Sequence, residues 1–324
     1  MTTFQAFLVG SHPRSEALVG VTQDWERGRV QPSEVASAIR RDVDALVSLQ
    51  ESLGFDYLSD GQLSLRWQDI FMPFTEGFSG IKKGPLARWF NTNTFFYVPV
   101  ITGEIGSSGG VLLESVEGGA FPPKKPPKVT IPDPLTFSEL SNDLYYGSME
   151  RLLFAYCDAL VNELRTLAEG GIRYVQFLSP SLVARFRAAP LDRDTVSQVG
   201  EGIRSALKGT YMESGFHMSF GDASHYLPFI FDSIPTDDLG FDLSETDASE
   251  MPSSAKGVIA GVADGRSSYV EPPNELAKAV SPLLDKGFSR VAMAPSCELR
   301  YLPRTVADEK LKSLAAARKL LEGS

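Results

Sequence analysis

Three histidines and two cysteines are the chain's whole stock of residues for soft-metal or thiol chemistry. His217 and Cys297 matter most, because each lies at or just beyond the end of an apolar run flanked by turn residues. A neutral imidazole together with a thiolate is a start on a tetrahedral zinc site. No paired C-x-x-C spacing accompanies them, so spacing alone assembles no ligand set, and a buried thiol near a hydrogen-bonded core histidine fits the same two residues. Cys157 falls on the apolar face of a helical pattern and reads as packing. His225, beside Ser224, reads as a surface or capping residue.

Elements that could bring such residues together are visible as an alternation. Short apolar runs at 4–9, 55–59, 128–131, 173–177, 215–220, 239–243, 256–261 and 289–294 alternate with longer helical patterns, the signature of parallel βα units. Eight such runs predict an α/β fold, a single (β/α)8 TIM barrel over 1–324. Ser33 reads as the cap of a helix in which Val35, Ile39, Val43 and Leu46 form an apolar stripe, closed by Gly54. Residues 149–169 and 307–321 predict two more helices. The β-rich TFFYVPVIT at 94–102 predicts a β-hairpin excursion between strands 2 and 3, within an irregular insertion of about 80–127. GSSGG at 106–110 and FPPKKPPK at 121–128 read there as mobile or polyproline-like loop.

In such a barrel the chemistry sits on the loops after the strand C-termini. These loops carry Gly10, Ser11 and His12; Asp60, Gly61 and Gln62; Leu178 and Ser179; His217 and Ser219; Ser244 and Glu245; Asp264, Gly265 and Arg266; and Ser296, Cys297 and Glu298. Asp264-Gly265-Arg266 is open to two readings, a plain turn or a ligand-facing loop.

Composition narrows the partners. Of 324 residues, 31 are Lys or Arg against 41 Asp or Glu, a formal charge of −10 with no basic cluster, which argues against nucleic acid. No apolar run approaches the roughly 18 residues of a membrane span. Two cysteines are too few for a disulfide framework. The expectation is a soluble, cytoplasmic protein.

Taken in order, the loop motifs resemble the cobalamin-independent methionine synthase family over nearly the whole chain. VGSHPR at 9–14, LGFDYLSDGQ at 53–62, IRYVQFLSPSL at 172–182 and GVADGR at 261–266 are supportive; WFNTN at 89–93 and APSC at 294–297 are specific. The balance resembles the amino-terminal of the family's two barrels. HMSF at 217–220 instead resembles H-M-C-Y of the zinc-bearing half, with Ser219 in place of a zinc-binding Cys. The related uroporphyrinogen decarboxylase barrels are an alternative resemblance, against which WFNTN and APSC favour methionine synthase.

The resemblance implies a methyltransferase that moves a methyl group from a carrier such as methyltetrahydrofolate to a homocysteine-like thiol. It places His217 and Cys297 at zinc-ligand positions, and Ser11, Gln62, Asp264 and Arg266 at substrate-binding positions. The acidic zinc ligand falls near Leu243 or Ser244, with Glu245 reached by shifting the frame. The carboxylates that receive the substrate ammonium in the family are Gln62, Leu178 and Ser179 here, a loss of charge-assisted hydrogen bonds worth about 1.5–3 kcal/mol each. Three readings follow: a barrel working with a zinc-bearing catalytic-half partner, a stand-alone zinc-dependent alkyl-thiol transferase with a remodelled pocket, or a non-catalytic binding or scaffold subunit.

Overall fold

A computed structural model of the chain describes residues 2–117, 125–184 and 189–323. Its strands are β1 (Thr3–Ala6), β2 (Ser79–Arg88), β3 (Phe95–Gly106), β4 (Lys128–Pro132), β5 (Asn142–Asp143), β6 (Tyr174–Leu178), β7 (Glu213–Met218), β8 (Asp238–Asp242), β9 (Gly257–Ala263) and β10 (Arg290–Pro295). Seven of them form a parallel sheet in the order β1-β10-β9-β8-β7-β6-β4. Residues 55–59 close it into a barrel. Asp56 N donates to Ala6 O at 3.2 Å, Leu58 N to Pro126 O at 3.0 Å, and Lys128 N to Leu58 O at 2.8 Å. This eighth stave is reduced to a single bridge, Leu58 with Pro127, since two neighbouring prolines offer no N–H to extend the ladder.

Helices follow the sequence pattern closely. Met149–Glu169 is capped by Ser148, which accepts from Arg151 N, and buries Leu152, Leu153, Tyr156, Cys157, Leu160, Leu164 and Leu167. Pro32–Ser52 starts earlier than Ser33 suggests: Gln31 is the N-cap, and its N–H donates to the Glu34 carboxylate at 2.9 Å. The last helix is Arg304–Glu322.

The excursion is more ordered than its composition suggests. β2 and β3 pair antiparallel, β5 adds to β3 in parallel, and helix Val111–Glu117 follows. Most of the insertion expected at about 80–127 is therefore regular structure. GSSGG is pinned: Ser107 Oγ donates to the buried Glu163 carboxylate, which also accepts from Leu112 N at 2.9 Å. Residues 121–124 of FPPKKPPK lie outside the described residues, while Pro126 to Lys128 belong to the barrel wall.

Trp89 is fully buried and anchors the hairpin tip against Phe71 and Phe96, at ring distances of 6.0 and 5.8 Å. Asp69 latches the same region by accepting from Tyr97 N at 2.8 Å and Phe71 N at 2.9 Å. WFNTN therefore covers the barrel mouth from a fixed base.

The opposite end is a polar floor made by the first residues of several strands. Asp238 accepts from Arg290 Nε at 2.5 Å, Arg290 Nη2 at 2.7 Å and Tyr174 OH at 2.7 Å. Arg290 also pairs with Glu213, which accepts from Tyr57 OH at 2.5 Å. Lys128, fully buried nearby, donates to Leu8 O and Gln176 Oε1, and burial lowers its pKa well below the usual ammonium range. Polar groups at this end of a barrel serve stability.

Candidate functional site

Residues from the strand C-termini meet where the sequence places them. Ser11 and Gln62 come together: Ser11 Oγ donates to Gln62 Oε1 at 2.5 Å, and Gln62 Nε2 donates to Thr130 O at 3.0 Å. Both residues are buried, so hydroxyl and amide are spent on each other and on the wall. Asp60, beneath them, is pushed up to about 6 by burial, against the pull of the Gln62 N–H. Gly10, at φ +55, lies under Glu298 and Leu178; a Cβ there would sit 2.6 Å from Glu298 Cγ, so a side chain would displace this packing.

His217 sits inside the barrel on β7, opposite Gly240 of β8. Its Nε2 donates to Ser296 O at 2.9 Å, the tautomer being fixed by that carbonyl. Nδ1 lies against the Gly240 backbone, where a Cβ would approach to 2.1 Å, and it has no hydrogen-bond partner among the described residues. Burial drives the imidazole pKa down to about 4, with the Ser296 carbonyl opposing and Lys128 adding to the shift. At neutral pH the ring is uncharged.

Cys297 is fully buried, its Sγ 3.6 Å from Glu298 O and packed toward Gly265. Burial foremost, then Asp242 and Glu298, push its thiol well above the ordinary range. The pair at this mouth is thus a neutral imidazole and a protonated thiol.

Arg266 is the cation here, its side chain one-third exposed at 33%. Its Nη2 lies 3.5 Å from Asp242 Oδ2, 3.2 Å from Glu245 Oε1 and 3.1 Å from Ser244 Oγ, and its Nε lies 3.4 Å from Asp264 Oδ1. Asp264-Gly265-Arg266 forms a turn, in which Asp264 Oδ1 also accepts from Arg266 N at 2.8 Å. Asp242 is wholly buried and accepts from Ser244 Oγ at 2.5 Å; burial raises its pKa, partly offset by Ser244 and Arg266.

Above Arg266 opens a cavity of about 500 Å³, walled by Arg88, Phe90, Asn91, Thr92, Phe220 and Arg266. Phe90 and Phe220 form an aromatic pair in its wall, with ring centroids 5.8 Å apart and an interplanar angle of 31°. Both hold positive φ, 47° and 73°, an arrangement that costs bulky residues on the order of 1–3 kcal/mol each and is a mark of functional sites. Sequence reasoning missed Arg88, Phe90, Phe220 and Asp242. Asp242 reads in sequence as an interior residue of the apolar run at 239–243, and the aromatic pair comes from elements 130 positions apart.

The sequence-family model described as "Cobalamin-independent synthase, Catalytic domain" matches residues 2–319. This chain belongs to the cobalamin-independent methionine synthase family. It is 25% identical to a methionine synthase of Sulfolobus acidocaldarius over 317 residues, 96% of this chain and 90% of the relative. It is also 25% identical to one of Saccharolobus solfataricus over 324 residues, 97% of this chain and 93% of that one. Solved structures share the fold: a B12-independent methionine synthase of Shewanella sp. W3-18-1 in complex with selenomethionine (TM-score 0.75, 18% identity, 99% of this chain and 97% of that one) and a putative one of Listeria monocytogenes (TM-score 0.78, 16% identity, 99% and 98%). The matched model is that of the catalytic domain, the half to which HMSF points, and not the amino half toward which the balance of the loop motifs leans.

Methionine synthase-family zinc chemistry can be tested against the residues present. His217 and Cys297 share the mouth but not a ligand set: the imidazole Nε2 is committed to Ser296 O and Nδ1 abuts the β8 backbone. Ser219 replaces the third donor, and a hydroxyl is a poor zinc ligand beside a thiolate. Glu245, reached in sequence only by shifting the frame, is paired with Arg266. Among the described residues no three His, Cys, Asp or Glu side chains form a group that could hold a metal. The donors do not fit zinc. Nor, among those residues, is any helix long and apolar enough to cross a membrane.

Proposed function

We propose that this methyltransferase-family barrel binds a folate-type methyl carrier, such as methyltetrahydrofolate, and delivers its methyl group to a homocysteine-like thiol held by a zinc-bearing partner chain. The observation that carries this reading is the cavity that sets two guanidinium groups beside a contacting pair of aromatic rings, next to a thiol site with unassembled donors. A pterin-like ring can stack on the cavity side of the Phe90–Phe220 pair, and the carboxylates of a glutamate tail suit Arg88 and the open edge of Arg266. Asp264 fixes Arg266 from its own turn, while Ser11 and Gln62 bond each other outside the residues that line this cavity. In the transfer, the N5–CH3 bond of the carrier breaks as the S–CH3 bond forms. The thiolate supplies the new bond's electron pair, and the released pair stays on N5, which takes a proton.

Homocysteine recognition by this chain alone is disfavoured, because Gln62, Leu178 and Ser179 offer no carboxylate to an ammonium group. The test is reconstitution, following methionine from polyglutamyl methyltetrahydrofolate and homocysteine. The chain alone is expected to give no product, and adding a zinc-bearing family member from the same organism is expected to raise turnover above that member's own rate. A mixture no faster than the added member contradicts the proposal. Turnover by the chain alone would favour the stand-alone alkyl-thiol transferase, a reading supported by the catalytic-domain match.

A further inference from the structure

The disagreement between these residues and zinc has a specific shape. Three carboxylates, Asp242, Glu245 and Asp264, converge from the ends of β8 and β9 beside Cys297. Such a group of anions needs a positive charge, above all at Asp242, which has no exposed surface. The guanidinium of Arg266 touches all three through Nη2 and Nε, and none of these bonds uses Nη1.

We infer that Arg266 occupies the cation position of this mouth, so that the chain organises its acidic loop ends with a guanidinium and holds no zinc of its own. The substitutions agree with one another. Ser219 removes a donor, the Ser296 carbonyl takes the imidazole N–H, and Arg266 supplies the charge a divalent ion would otherwise bring. A guanidinium is a permanent charge with planar donors that cannot activate a thiol by coordination but can hold a carboxylate of a ligand in the adjoining cavity. This inference goes beyond the proposed function and stands apart from carrier binding: its readout is metal alone.

The experiment is zinc titration against a chromophoric chelator, with elemental analysis of protein produced in zinc-supplemented medium. The unaltered chain is expected to carry far less than one zinc per chain and to lose the competition. An Arg266→Ala, Ser219→Cys double variant, confirmed folded by circular dichroism, regains a thiolate donor and loses the competing cation. Its zinc affinity is expected to rise by about 100-fold or more. Stoichiometric zinc in the unaltered chain, abolished by Cys297→Ser, overturns the inference. A folded double variant with unchanged zinc affinity overturns the assignment of Arg266 as the occupant.

Discussion

An Asp238→Ala variant will unfold with about 3–5 kcal/mol less stability than the natural chain. Asp238 is fully buried at the barrel floor, where its two oxygens accept from Arg290 Nε and Nη2 and from Tyr174 OH. Burial raises its carboxyl pKa despite the Arg290 guanidinium, so desolvation outweighs the pull of the ion pair. The pair is therefore a poor source of net stability but costly to break on one side only, since removing the carboxylate strands a mostly buried guanidinium and a buried phenol. Glu213 still holds Arg290 Nη1, which sets the upper end of the loss. Denaturant unfolding checks this, and a loss below about 1 kcal/mol would mean that the floor is not a connected network. Ligand binding at the far mouth should be unchanged under conditions where the variant stays folded.

Acid will remove about 3 kcal/mol of stability through His217 alone. Its folded pKa is depressed from 6.5 to about 4, chiefly by burial. An unfolded chain protonates this side chain below about pH 6.5, whereas the folded chain does so only near pH 4, so between these values the unfolded state binds more protons. Stability from this group is complete above the unfolded value and is lost as pH falls toward about 4. A His217→Gln variant keeps an amide donor for Ser296 O but cannot titrate. Urea unfolding at pH 7 and pH 4.5 should show a clearly smaller acid loss in the variant than in the natural chain. His12, also lowered by burial, contributes in the same direction in both proteins and cancels in the comparison. Equal acid losses would contradict a buried neutral His217.

The barrel was legible because its staves are short apolar runs separated by capped helices, and that pattern is local. Seven of the eight expected runs contain a strand within a few residues of their predicted bounds; residues 55–59 shrink to a bridge because the signal to their neighbour passes through Pro126 and Pro127. β2 was not legible: SGIKKGPLAR, with two lysines, two glycines and a proline, becomes a strand only by pairing with β3. The site divides the same way. Ser11, Gln62, His217, Asp264, Arg266 and Cys297 could be placed at the mouth from the loops that carry them. What each one touches could not, because the Ser296 carbonyl beneath His217, Asp242 beside Arg266 and Phe90 against Phe220 are set by register between distant strands.

In the proposed function the mouth cavity takes the methyl carrier in the chain by itself. Calorimetric titration of chelator-treated protein with polyglutamyl methyltetrahydrofolate tests it directly, with Arg88→Ala as the control, because Arg88 is an exposed wall residue with no carboxylate partner among the described residues. One carrier is expected to bind per chain without metal, with binding weakened by about 10-fold or more in the variant through the loss of one charge-assisted contact. No carrier binding by the natural chain, or binding that Arg88→Ala leaves unchanged, would contradict it.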